Sequence, residues 1–314
     1  MINTTINTKL IAMLSNHIQM DSFEEFATIL DVSEFALALQ ETKRYHQILA
    51  SVDASALHRL ELEKIIQSIK KIDYQKIKRF MPDGFYLLEL EQEIDELIIL
   101  LHIRQSESNY QFETSWIEKC IHLETQDFIN VLKEHHYEFL IPYLDDLLQA
   151  ELYLKKHLFL KIKARYETES PKLVAAYHDE LILFLLSYVY RFKKYYETSK
   201  QNLTEIFKPL FDLLNIKPYE HYITSQTSNE IYPLLGYDSS LEIPLERFVY
   251  GTLYKTYLRN MRFEDDTLLK FFSYMRLVDI EIKNITDLIE GIRYKIGQDK
   301  MIELLIKEAM NNGH

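Results

Sequence analysis

A chain of 314 residues with 36 Lys and Arg against 48 Asp and Glu, a formal net charge of −12, lacks the basic footprint of a general nucleic-acid binder. Its single cysteine, Cys120, excludes an intramolecular disulfide framework and suits a reducing compartment. Six glycines and seven prolines are too few for strand-rich or doubly wound folds, whose tight turns draw on glycine, and they favour helices.

Taken in chain order, apolar spacing predicts a first amphipathic helix over Thr4 to Met20, with Leu10, Met13, Leu14 and Ile18 on one face. Asp21 or Ser22 can cap the next helix, with Glu24 and Glu25 in its first turn. Ser33 caps a short helix carrying Phe35, Leu37 and Leu39. A long helix over Leu57 to Phe80 turns Leu60, Ile65, Ile69, Ile72 and Ile77 inward. Met81-Pro-Asp-Gly84 is a turn, and Phe85 to Arg104 the next helix, its acidic half preceding its apolar half. The polar run Gln105 to Gln111 marks a unit boundary.

Helices follow at 113–123, 126–135 and 143–166, with Pro142 near the start of the last, where a missing N–H costs little. Pro171 opens a helix through Tyr196. Its longest nearly apolar run, Leu181 to Tyr190, is about half of the roughly 20 residues that a membrane span needs, so it reads as a buried helix. Another helix covers 202–214. Lys217 to Pro244 holds three prolines and one glycine and reads as loop. Ile243 to Met261, Glu264 to Ile289 and Gln298 to Met310 close the chain. No strand is expected, and the N-terminus lacks the charged-then-apolar pattern of a signal peptide.

One pattern comes round again. Asp95-Glu-Leu-Ile-Ile-Leu-Leu101 returns as Asp179-Glu-Leu-Ile-Leu-Phe-Leu-Leu186. Leu30-Asp-Val-Ser-Glu-Phe-Ala-Leu-Ala-Leu39 returns as Leu123-Glu-Thr-Gln-Asp-Phe-Ile-Asn-Val-Leu132, each copy followed by a tyrosine, Tyr45 and Tyr137. The unit is a short helix ending in leucine, a tyrosine, Leu/Ala-Glu near the start of a long helix, and an acid in a second long helix. Its three copies read Leu39, Tyr45, Leu60-Glu61 and Asp95; Leu132, Tyr137, Ala150-Glu151 and Asp179; Leu235, Tyr237, Leu245-Glu246 and Glu281. Repeated helical units bury their core between neighbours and offer broad surfaces to partners.

Constellations that would carry chemistry do not close. No two glycines have the spacing of a P-loop, and no Gly-x-Gly-x-x-Gly is present, so nucleotide binding by this chain is not expected. Asp145-Asp146 and Asp265-Asp266 resemble half of an Asp-Asp-x-x-Asp metal motif, but Gln149 and Leu269 stand at the fifth positions. Acidic pairs at helix starts are the simpler reading. Glu118 and His122 share a helical face while Cys120 points away, and His135-His136 form no Glu-x-x-His, so no metal site is expected. Lys155, Lys156, Lys161, Lys163 and Arg165, with Lys193 and Lys194, make a locally basic stretch, either a solvated face or a contact for an acidic partner.

At the repeated residues the chain resembles the C-type subunits of the V/A-type ATPases and ATP synthases, the counterparts of the eukaryotic d-type subunits. Asn7-Thr-Lys-Leu-Ile-Ala-Met-Leu14 is similar to the family's opening helix. Asp21-Ser-Phe-Glu-Glu-Phe26 with Leu39-Gln-Glu-Thr42 and Tyr45, and Glu281-Ile-Lys-Asn-Ile285 with Gly291, are similar to two further segments. The similarity runs from about residue 6 to 306. The family often has asparagine three residues after the repeated acid; Ile98 and Ile182 stand there in the first two units.

The resemblance implies an all-α fold of three similar helical domains arranged as a funnel around a pseudo-threefold axis. The corresponding units are 1–110, 111–200 and 201–314, the N-terminal helix being shared with the last. It implies a non-catalytic member of the central stalk without a cofactor, joining the D and F subunits of the central axle to the membrane proteolipid ring and transmitting torque. It also implies a peripheral position on the cytoplasmic face of a bacterial plasma membrane. Asp95, Asp179 and Glu281 are then candidate acids at equivalent positions around the central opening; the alternative for each is an ordinary helix charge or cap. The other reading of the whole chain is a free-standing α-helical scaffold that binds peptides or partner helices.

Overall fold

The computed structural model describes all residues except 1, 51, 54–56, 82–84, 106–109, 111, 196–199, 215–244 and 308–314. It is all-helical, with no strand among the described residues. Its contacts form two compact units, Met1–Asp83 with Tyr237–His314, and Gly84–Gly236.

The first unit opens with α1 (Ile2–Leu14), α2 (Met20–Phe26), α3 (Val32–Glu41), α4 (His46–Leu49) and α5 (Arg59–Lys78). The second holds α6 (Leu87–Gln105), α7 (Ser115–Lys119), α8 (Thr125–Glu134), a 3-10 turn over Glu138–Tyr143, α9 (Leu147–Tyr166), α10 (Pro171–Tyr195), α11 (Lys200–Ile206) and α12 (Lys208–Phe211). The chain completes the first unit with α13 (Leu245–Phe263), α14 (Thr267–Arg293) and α15 (Gln298–Leu304). The sequence-predicted loop over Lys217 to Pro244 falls outside the described residues.

In the first unit α14 is the hub, touching α1, α3, α5, α13 and α15. It is buried nearly all round, and its buried residues include Lys270, Glu281 and Asn284 as well as apolar side chains. Gly291 permits the close approach of α15, because a Cβ there would lie 2.8 Å from Met301 Sδ. In the second unit α9 is the hub, against α6, α10, α12 and the 3-10 turn. On α10, Leu181, Leu185, Leu186 and Val189 lie in this core. The stretch Pro171–Lys194 is nevertheless long and apolar enough to cross a membrane by length and composition, with 44% of its most apolar window buried.

The contacts divide the chain elsewhere than the polar run Gln105 to Gln111. The helix before that run, α6, packs on α7 and α9 after it. Polar connections run over the surface within a domain as well as between domains. The caps also differ in detail. Asp31, two residues before Ser33, caps α3 by accepting from the Ser33 and Glu34 amides, while Gln19 precedes α2 without a side-chain cap. Asp146 and Asp266, the second members of the two acidic pairs, cap α9 and α14 through the amides of Gln149 and of Leu268 and Leu269. No group of three or more metal-binding side chains gathers among the described residues.

The buried face of α5 is rotated from the predicted stripe. Leu62, Ile66, Ile69, Asp73 and Ile77 are buried, whereas Leu60 is 66% exposed. Ile69 and Ile77 are buried as expected, but a charged residue, Asp73, also sits in the true stripe, so counting apolar residues alone sets the face off by part of a turn.

Candidate functional site

The polar core of the first unit is built from several segments. Arg44 and Tyr45 lie on the connection between α3 and α4, His17 follows α1, Asp73 lies on α5, and Tyr274 and Glu281 lie on α14, about two turns apart. Arg44 joins the two carboxylates. Its Nη2 donates to Asp73 Oδ2 at 2.7 Å, and its Nε lies 2.7 Å from Glu281 Oε1. Tyr274 completes one side, donating from its hydroxyl to Asp73 Oδ2 at 2.6 Å and accepting from Arg44 Nη1 at 3.2 Å.

Glu281 is held from every direction. The Tyr45 hydroxyl donates to Oε1 at 2.8 Å, the Ile18 amide donates to Oε2 at 3.1 Å, and His17 Nδ1 stands 2.9 Å from Oε2. Burial opposes its ionisation, but His17, Arg44 and Tyr45 outweigh burial and hold the carboxyl below its ordinary value. Arg44 is likewise desolvated, yet Glu281, Tyr274 and Asp73 raise it above its ordinary range, so its charge is secure. Burial and the adjacent Glu281 push the Tyr45 hydroxyl far up, and it remains a donor. This explains why Asp73 occupies a core position: the cation that pairs with it is also buried.

A related clasp stands in the second unit. Tyr137, fully buried like Tyr45, donates its hydroxyl to Glu93 Oε1 at 2.8 Å, and burial followed by Glu93 raises the phenol. Glu96, one turn on, accepts from the Glu113 and Thr114 amides, both at 2.9 Å, just before α7. Burial resists its ionisation, while Thr114, Gln92 and Glu113 together lower it below its ordinary value. Glu281 therefore combines two tasks, holding a tyrosine and a backbone amide ahead of a short helix. In the second unit these tasks fall separately to Glu93 and Glu96.

The three sequence-predicted acids separate on this geometry. Glu281 is the centre of the polar core. Asp95 is 63% exposed and 3.6 Å from Lys155, and Asp179 is 77% exposed beside His178. The residue that does for Tyr137 what Glu281 does for Tyr45 is Glu93, two places before Asp95. Asp95 and Asp179, the acids of the Asp-Glu-Leu-Ile repeat, both face solvent. Counted from Glu93, Glu96 stands where Asn284 stands counted from Glu281, three residues after the acid. Asn284 exchanges hydrogen bonds with the Ile306 backbone at 2.7 and 3.2 Å. Tyr237 lies outside the described residues.

Replacing Tyr137 by Phe removes a hydrogen bond to a carboxylate from a buried phenol and is expected to cost about 1.5–3 kcal/mol in urea unfolding. Replacing Asp95 by Asn is expected to fall within about 0.5 kcal/mol of the parent chain. Equal effects of the two would return the register to Asp95.

Several of the remaining singled-out residues make local contacts. Cys120 is a free buried thiol, bonded through Sγ to the Trp116 carbonyl at 3.2 Å. Burial raises it above its ordinary value against the weaker pull of Arg104, the opposite of nucleophile activation. Arg104 donates to the Cys120 and Leu123 carbonyls, closing the end of α7. His135 stacks on Trp116 at 4.0 Å between ring centroids. Several of the basic residues of α9 are engaged locally: Lys163 with Glu167, Arg165 with Glu169, and Lys161 over the Tyr137 ring.

Sequence reasoning found Tyr45, Tyr137 and Glu281 but missed Arg44, His17, Asp73, Glu93 and Glu96. The signal for Asp73 and Arg44 was available, since each interrupts or adjoins an apolar pattern with a charge. Their mutual contact joins residues 29 apart in sequence and carries no periodicity. No family model matches this chain, and no curated protein does.

Proposed function

We propose that this chain is a non-catalytic rotor component of a V/A-type ATPase or ATP synthase, seated between the D and F subunits of the central axle and the membrane proteolipid ring. The observation that carries this reading is the repeated clasp, in which a tyrosine after a short helix is held by a carboxylate of a long helix, in both units. It extends the internal repeat from letters to partnered atoms; the family, the third copy and the pseudo-threefold funnel belong to the proposal. Torque transfer asks for stiffness, and long helices locked by buried ionic contacts supply it. The chain then acts on the cytoplasmic face of a membrane through its partners, with no reaction of its own.

The test is affinity capture of the full-length tagged chain from membranes of its own host, with the bound proteins identified by mass spectrometry. Axle and proteolipid subunits are expected together, in fixed ratio. Recovery of soluble partners alone, with neither axle nor ring, overturns the proposal in favour of the scaffold reading.

A further inference from the structure

Helix α10 packs on α9 in the second unit, and Ile182, Leu185, Leu186 and Val189 bury its inner side. The other side carries Ala176, Glu180, Leu183, Phe184 and Ser187, all half-buried, and the exposed Arg191 and Lys194. Glu180 and Arg191 stand about three turns apart, a spacing that brings both to within about 20° of one direction, with Ser187 between them. The outward stripe is thus acidic at one end, apolar or small in the middle and basic at the other.

Helix-end preferences do not account for this order. Glu180 lies about two turns inside the helix, past the first turn in which the dipole favours an acid. The middle of the stripe tolerates cover. The Ser187 hydroxyl donates to the Leu183 carbonyl at 2.8 Å, so an apolar side chain can lie over it without stranding a donor. Two copies of the stripe laid antiparallel about a two-fold axis set each Glu180 against the partner's Arg191. The same operation sets each Phe184 against the partner's Ser187, a large side chain against a small one. Laid parallel, the copies would set Glu180 on Glu180 and Arg191 on Arg191, like charges that repel. A stripe whose ends are opposite in sign is its own complement when reversed, which is why a second copy fits it.

We propose that α10 pairs antiparallel with α10 of a second copy, making the free chain a homodimer held by Glu180–Arg191 pairs on both sides of an apolar centre. One helix pair is small beside a standard interface, so the dimer is a weak one. The proposal is independent of the rotor reading.

Sedimentation velocity of the full chain, over about a hundredfold range of concentration, is the test. A concentration-dependent dimer is expected, loosening as salt screens the end pairs. Glu180→Arg alone and Arg191→Glu alone are each expected to weaken dimerisation about ten- to a hundredfold, because like charges then meet at both ends. Mixing the two variants is expected to restore the dimer, since the arginines at both positions of one chain meet the glutamates at both positions of the other. Far-UV circular dichroism checks that each variant remains helical; if either unfolds, the salt dependence of the parent dimer decides. A chain that stays monomeric, a dimer indifferent to the single reversals or to salt, or a mixture that stays apart each overturns the proposal.

Discussion

Arg44→Met is expected to lower the unfolding free energy by about 3–5 kcal/mol, because it leaves two buried carboxylates without their shared cation. Arg44, Asp73 and Glu281 are all nearly closed to solvent, with side chains 3–4% exposed. Removing the guanidinium leaves Glu281 Oε1 to the Tyr45 hydroxyl and Asp73 Oδ2 to the Tyr274 hydroxyl, neutral donors that do not balance a buried negative charge. Methionine fills much of the arginine volume, so the loss is electrostatic rather than a cavity effect. The triple variant Arg44→Met, Asp73→Asn, Glu281→Gln is expected to recover a substantial part of that loss, since the uncompensated charges are gone. Urea midpoints for the single and triple variants measure this. A loss below about 1 kcal/mol for Arg44→Met would mean that the cluster is solvated and adds little.

Acidification is the second large effect, and it begins at His157. This ring lies near Tyr137 and Phe139, with centroids 5.4 and 4.7 Å away, and its Nε2 is buried without a hydrogen-bond partner. Burial first, then Lys161, depress it from 6.5 to about 4 against the opposing pull of Glu138. The folded state thus holds His157 neutral where the unfolded chain protonates it. Below 6.5 the unfolded state binds the extra proton, so stability is complete above that pH and declines as pH falls toward about 4. After allowing for water at this half-buried ring, the loss is about 1–2 kcal/mol.

Glu281 acts in the next window down. Its folded value is depressed, so its contribution is present above the ordinary 4.5 and disappears as pH falls through the lower folded value. His157→Gln is expected to flatten the upper window and leave the lower one. Unfolding free energies at about pH 7, 5.5 and 4.5 check the sign. A His157→Gln chain that kept the parent's slope across this range would place the loss elsewhere.

The sequence by itself determined that this protein is helical, and it located most of the long helices to within a few residues. Glycine scarcity and apolar spacing at the helical period are local properties, and each helix carries its own copy of the signal. The repeat in Leu39–Tyr45 and Leu132–Tyr137 was equally legible, because side chains that dock in related sites leave related letters. Only the tertiary structure decided which acids serve those tyrosines. Glu281 reaches Tyr45 across 236 residues, and Glu93 precedes Tyr137 by 44. No periodicity spans such distances. The rotated face of α5 has the same origin: Asp73 looks solvent-facing until Arg44 and Tyr274 are brought beside it, when pairing makes its burial tolerable. Helix formation rests on neighbours along the chain, whereas the stability of a buried charge depends on partners that only folding assembles.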